Sequence, residues 1–369
     1  MTLNKFVDKL LKENWDDAQI KKFIGTYHSA YFAYARDEAL REGAASGGVV
    51  TALLWHLLKT GAVEGALVCR SKLVDGSVQS EFYIAKNLED LKASQGSKYI
   101  TTRFSFEALP LINAFDGSLA VVCLPCDANL LHLYCQKHPA VRDKVKCVIT
   151  LFCGHLSTPD LTAHIIDKLR PEPGAVLTDF RYRAGHWRGQ LTATYKGHEP
   201  VVRPFSVFSD YQNLHFFSAR KCLHCYDHTG YFSDIAVGDV WLQRMKDEPI
   251  KHSGVIVKTE RGQTMIESAT LGGALVTEEQ AITEIIESQS RSLKIHYNIS
   301  ARAKAGKLLG EKIKDEVEEK VRIVDFLVAF LLMFNHKLTE KDWGKKLVMR
   351  APKPLVRLYL YFIKGLEVL

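Results

Sequence analysis

The apolar positions of this chain fall into two alternating rhythms. Residues 47–60 (GGVVTALLWHLLKT) place Val49, Val50, Leu53, Leu54, Leu57 and Leu58 at the spacing of a helix that buries one face, with Ser46 just before it as an N-cap. Residues 65–69 form a short unbroken apolar run, as in a buried strand; 81–85 reads as a second strand and 88–94 as a short helix. A third strand at 119–124 (LAVVCL) leads into a helix from Asp127 to about Lys137, and a fourth at 147–152 (CVITLF) into a helix at 161–169. This alternation predicts an α/β fold whose N-terminal part is built on a mainly parallel sheet. From 176 to 205 the order changes: strands near 179–183, 191–196 and 201–205 follow one another across Gly-containing breaks, as in an antiparallel meander. Strand signals resume at 234–241 and 254–258, so the second part reads as α+β. Beyond about Ala301 helix formers dominate, and two or three helices are expected as a C-terminal extension. The boundaries fall at 1–42 (a helical lead-in), 43–145, 146–300 and 301–369.

The 369 residues are 47% hydrophobic and 25% charged, an ordinary globular composition with room for about two domains. No run approaches the ~20 apolar residues of a membrane-spanning helix. The longest candidate, 326–334, lies between Asp325 and Asn335. The first 23 residues carry charges among their apolar positions and read as an amphipathic helix, not a signal peptide. A cytoplasmic protein is expected. In that reducing setting, clustered cysteines are more often metal ligands or catalytic thiols than disulfides.

Net charge is +7, but residues 337–364 hold eight basic side chains against Glu340 and Asp342, a local +6. The remainder is nearly neutral, so no nucleic-acid partner is expected. The basic helices suit a solvated face, an acidic partner or peripheral contact with a membrane surface.

Eight cysteines are present. Cys222-Leu-His-Cys225 is a CxxC motif, which serves zinc, iron–sulfur clusters and thiol redox sites alike. Arg220 and Lys221 precede it, and cations stabilise thiolates. Cys126 (in LPC) and Cys153 (in LFCGH) each lie just past a predicted strand, where ligands collect in open α/β sheets. Four thiolates suit a 4Fe–4S cluster or a structural zinc. Cys69, Cys123 and Cys147 lie inside apolar strands and Cys135 on a helix, the places of structural cysteines. Residues 43–48 (GAASGG) open directly into the helix at Val49. Small residues there allow close backbone approach, and Ser46 and Thr51 supply hydroxyls; a tight turn packed on the sheet is the plain alternative. The cluster Ser94-Gln-Gly-Ser-Lys-Tyr99 mixes a cation with an aromatic ring and suits a phosphate, a flavin ring or a surface loop.

Taken in order, GAASGGVVTALLWHLLKTGAVEGALV, GSKY, LPCDA, LFCGH, RYRAGHW and CLHCYDHTGYFSDIAVGDVWL resemble the family of beta subunits of coenzyme F420-reducing hydrogenase and related dehydrogenases, over about 43–262. The resemblance implies an oxidoreductase with FAD and a 4Fe–4S cluster. It implies Cys126, Cys153, Cys222 and Cys225 as cluster ligands. Flavin contacts would come from Ser46, Gly47, Gly48, Val49, Thr51, Ser97, Lys98 and Tyr99. On it, 43–145 becomes a flavin-binding domain and 146–300 a cluster-binding domain. The extra ferredoxin-like domain of many relatives is not found in this sequence, so a single cluster is expected, as in bacterial-type members that accompany polysaccharide biosynthesis. Electrons would then pass to or from a separate ferredoxin-like protein or reduced deazaflavin, with a small-molecule substrate. Arg181, Arg183, Trp187 and Arg188 either line a substrate pocket or form the solvent face of an antiparallel strand. His155 is a candidate proton donor, and Asp234 and Asp239 flank a strand near the CxxC. The rival reading is a zinc-binding assembly or scaffold protein of a polysaccharide or redox complex, without flavin.

Overall fold

The computed structural model describes residues 16–368. Its strands, in chain order, are β1 (Ser29–Ala35), β2 (Gly65–Val74), β3 (Ser77–Ala85), β4 (Leu119–Cys123), β5 (Val145–Leu151), β6 (Leu177–Ala184), β7 (Gln190–Tyr195), β8 (Val201–Pro204), β9 (Ile235–Asp239), β10 (Ser253–Val257) and β11 (Leu275–Glu279). One sheet of eight strands has the order β11-β1-β10-β9-β5-β4-β2-β3, and β6-β7-β8 form a second. The centre, β2-β4-β5-β9, is parallel. Antiparallel strands flank it on both sides.

The central strands are apolar on both faces because both faces are covered. In β4, Ala120 and Val122 enter one core with Leu53, Leu54 and Leu57 of the helix Val49–Lys59 (α1). The alternate residues Leu119 and Val121 enter another with Leu131 of the helix Pro125–Lys137 (α2). The meander β6–β8 packs with the C-terminal helices in a third core. The C-terminal helices are Ile282–Tyr297 (α3), Ile299–Leu309 (α4), Ile323–Thr339 (α5), Asp342–Arg350 (α6) and Lys353–Val368 (α7), and it is α5, α6 and α7 that enter this core.

The sheet corrects three expectations. The lead-in 1–42 is not helical throughout: it contributes β1 to the middle of the sheet, next to a helix at Asp17–Ile24, while residues 1–15 lie outside the described residues. One sheet also runs across the expected boundary at 145/146, since β5, β9 and β10 continue it. The cap of α1 is Gly48, left-handed at φ 77 with no side-chain cap; Ser46 Oγ instead donates to the His252 carbonyl at 2.8 Å.

The loop before α1 is stitched between β1 and β10. Ala35 N–H donates to the Gly47 carbonyl at 2.7 Å, and Gly47 N–H to Ser253 Oγ at 3.1 Å. A Cβ at Gly47 would stand 2.6 Å from the Ala33 carbonyl oxygen and 2.9 Å from the Ser253 nitrogen, both backbone atoms. Gly47→Ala should therefore destabilise by about 1–3 kcal/mol. Gly365→Ala, in open space on α7, should be neutral or stabilising by about 0.5–1 kcal/mol. Urea midpoints of the two variants check this.

Candidate functional site

Two strand ends and one short helix build the first site. Cys126 is the second residue of α2, just beyond β4, and Pro125 at N1 starts that helix cleanly. Cys153 follows β5 by two residues. Cys222 sits in the turn of helix Arg220–Leu223, with Cys225 just after it. All four thiols line one recess, together with Lys221, His155, Asp227 and His296. Among the described residues, no three His, Cys, Asp or Glu side chains close on the coordination sphere of a single ion. The other four cysteines stay apart: Cys123 and Cys147 are buried in strands, Cys69 lies in β2, and Cys135 is on α2.

Burial pushes all four recess thiols up, Cys225 to about 12, and neighbouring thiols add to the rise of Cys126, Cys153 and Cys225 by like charge. Opposing this, Lys221 and Arg302 place positive charge beside them. Leu156 N–H donates to Cys222 Sγ at 3.3 Å, and the N-terminal turn of α2 lines the recess. His155 is stacked on His215 at 4.2 Å between ring centres, and burial holds it at about 4, neutral at pH 7; its Nε2 has no partner.

The C-terminal helices hold the cysteine loops from behind. His296 of α3 sets its ring nitrogens 2.6 Å from the Gly154 carbonyl and 3.2 Å from that of Cys225. Arg302 of α4 donates to the Cys225 carbonyl at 2.6 Å. Glu311, just past α4, is buried and accepts from Arg220 at 2.8 Å and Lys337 at 3.0 Å, with His224 at 3.2 Å. It thus grips the CxxC through Arg220 ahead of it and His224 within it. Sequence reasoning missed all three: no motif spacing marks them.

A polar chain leads from there to the glycine loop. His228 Nδ1 lies 3.0 Å from the Cys153 carbonyl and Nε2 3.1 Å from Gln289 Oε1. Gln289 donates to the Asp239 carbonyl at 2.6 Å, and the Asp239 carboxylate pairs with Arg183 at 2.7 Å. Arg183, 5% exposed, also donates to the Ala45 carbonyl at 3.2 Å, Ser97 Oγ at 3.4 Å and Tyr99 OH at 3.5 Å. It therefore joins residues 43–48 to 97–99. Its guanidinium lies 4.7 Å over the Trp241 ring, which meets Trp187 edge-on at 5.6 Å and Arg188 at 5.9 Å.

Several expected flavin contacts are used by the fold. Val49 is buried, Thr51 Oγ1 accepts from Gln95 at 3.3 Å, and Lys98 donates to carbonyls including Gly96 at 2.8 Å. Burial lowers Lys98 to about 8. Gly47 packs on backbone, and Tyr99 packs among Tyr182, Phe205 and Phe208. Arg181 is exposed and pairs with Asp179, so it faces solvent. Asp234 accepts from Val148 N–H at 2.8 Å and pairs with Arg261 at 2.8 Å, tying strands together.

Two family models match, those for the N-terminal and C-terminal parts of the coenzyme F420 hydrogenase/dehydrogenase beta subunit, over residues 30–106 and 116–282 respectively. The chain belongs to this family. The family comprises oxidoreductase subunits. Relatives include the coenzyme F420 hydrogenase subunit beta of Methanothermobacter thermautotrophicus, 25% identical over 77% of this chain and 98% of that protein. The coenzyme F420-dependent sulfite reductase of Methanocaldococcus jannaschii is 26% identical over 71% of this chain and 40% of that one. A chain from the F420-reducing NiFe hydrogenase complex of Methanosarcina barkeri shares the fold, with TM-score 0.58 and 17% identity over 80% of this chain and 98% of that one. Both family matches end by residue 282, so His296, Arg302 and Glu311 lie outside them.

Arg302→Met removes the donor at the Cys225 carbonyl while keeping apolar bulk. It should weaken metal retention by about 10–100-fold, read as iron per chain after a chelator challenge. Glu311 is held at about 2, below its ordinary value of 4.5, by hydrogen bonds from Arg220, Lys337 and His224 that outweigh its burial. Its stabilising effect is full above 4.5 and is lost as pH falls through about 2. In metal-free protein, Glu311→Gln should cost about 1–2 kcal/mol at pH 7, since solvent at exposed Arg220 screens the pair. The cost should shrink toward pH 2, checked by urea midpoints across that range.

Proposed function

We propose that this chain is an iron–sulfur flavoprotein subunit in which Cys126, Cys153, Cys222 and Cys225 hold one 4Fe–4S cluster and FAD binds along residues 43–48 and 97–99. The observation that carries it is the meeting of four thiols, from three separate stretches of chain, in one buried recess. The donor set fits the group. Four cysteines are a complete ligand set for such a cluster, and iron binding displaces the thiol protons that burial otherwise retains.

When bound, the cluster supplies one-electron transfer and the flavin links it to two-electron chemistry. The protein's part is to hold and to insulate. Lys221, Arg302, the Leu156 N–H and the first turn of α2 offset negative charge in the recess. The chain His228–Gln289–Asp239–Arg183 fixes the cysteine loop relative to the glycine loop. Trp187, Arg188 and Trp241 form an aromatic and cationic wall beside Arg183, suited to a planar or anionic small molecule. The relatives act with coenzyme F420, so reduced deazaflavin is one electron donor for this chain, and a separate ferredoxin-like protein is the other.

Anaerobically purified protein should be yellow-brown, release FAD on denaturation and contain four irons per chain. Cys222→Ser and Cys225→Ser should each lose most of the iron and block reduction by an external donor, while Cys135→Ser should match the unsubstituted protein. Colourless, zinc-loaded protein without flavin overturns the proposal.

A further inference from the structure

Helix α7 carries apolar residues both on its inner face and on its outer one. Its inner stripe, Val356, Leu360 and Ile363, is buried in a core that also receives Val348 of α6. Its outer stripe, Leu355, Leu358, Tyr361 and Phe362, is 54–67% exposed. Helix α6 repeats the arrangement: Val348 points in, while Trp343 and Leu347 are 65% and 57% exposed. Both inner stripes seat on one core, so both outer stripes look away from it. A helix of a soluble protein ordinarily carries polar residues there, and clustered exposed apolar groups mark contact surfaces.

The charges choose the partner. Lys346 and Arg350 share the outer face of α6 with Trp343 and Leu347, by their spacing of three and four residues. Lys341 and Lys353 stand exposed at the starts of α6 and α7. The segment's other basic side chains are partly engaged within the protein: Lys337 with Glu311, Lys345 with Asp160, Arg357 with Asp210, and Lys364 over the Tyr361 ring at 5.7 Å. Each acidic side chain here is also paired, Glu340 with Lys337, Asp342 with Lys345 and Glu367 with Arg291. The outward charge is therefore positive. No helix among the described residues is long and apolar enough to cross a membrane.

We propose that the outer faces of α6 and α7 seat on an anionic lipid bilayer, lying in its interface. Leu347, Leu355, Leu358 and Phe362 enter the acyl boundary, and Trp343 and Tyr361 sit at headgroup level, where amphipathic rings collect. Lys341, Lys346, Arg350 and Lys353 reach anionic headgroups while their stems lie along the apolar surface.

The full chain, purified anaerobically, is sedimented with vesicles of phosphatidylcholine alone or mixed with phosphatidylglycerol. Binding to the mixed vesicles is expected, weakened strongly by added salt. The double variant Lys346→Ala, Arg350→Ala should bind about tenfold more weakly. Phe362→Glu should abolish binding with far-UV circular dichroism and visible absorbance unchanged. No binding to either vesicle overturns the proposal, as does binding that survives Phe362→Glu. A concentration-dependent dimer that Phe362→Glu disperses also overturns it, because the surface then belongs to a second copy of the chain.

Discussion

Parallel pairing of β4, β5 and β9 is the constraint from which the rest follows. Parallel strands all end at the same edge, and the chain must return over the sheet to begin the next one. Here that edge collects what leaves β4 (Cys126), β5 (Cys153) and β9 (Asp239). Sheet order thus turns residues far apart in sequence into neighbours. The CxxC arrives from before β9, on a loop where Asp227 accepts the N–H groups of Thr229, Gly230 and Tyr231 and makes a tight turn back to the sheet. Gly230 is required in that turn: at φ 95, a Cβ would stand 2.4 Å from Thr150 Oγ1 on β5.

The sheet brings the cysteines together but does not fix them. Three side chains from beyond the family's matched region do that, by binding backbone carbonyls and the charged neighbours of the CxxC. This division of labour separates chemistry from support. The four thiols come from the part of the chain that the family models match, and their support comes from residues beyond it. The helices that follow, α6 and α7, carry an outward face of opposite character, so the C-terminal part both props the cysteine recess and presents the basic apolar surface.

Much of the fold was legible because strands buried on both faces are plainly apolar, and because α1 has a clean helical period. The cysteine grouping was legible for a related reason: two of them sit where apolar strands stop. What escaped had physical causes. β1 (SAYFAYA) mixes small residues with tyrosines, so its alternation is weak although it lies inside the sheet. β11 is an edge strand ending in Glu278 and Glu279, and charge at an edge looks like a loop. A strict two-residue period placed Arg181 and Arg183 on one face. The register slips between Arg181 and Ala184, so Tyr182 and Arg183 are both buried while Arg181 is not. Ser46 missed its capping role because the turn is completed by a left-handed Gly48.

The grip of Glu311 on Arg220, His224 and Lys337 has a consequence for biogenesis. A chain emerging from the ribosome grows by about 5–20 residues per second, N-terminus first. Cys126, Cys153 and the CxxC are all translated before the glutamate, and well before the lysine that completes its set of partners. For several seconds the nascent protein holds its thiols in loops that Glu311 does not yet clamp, and they close only when the C-terminal helices are finished.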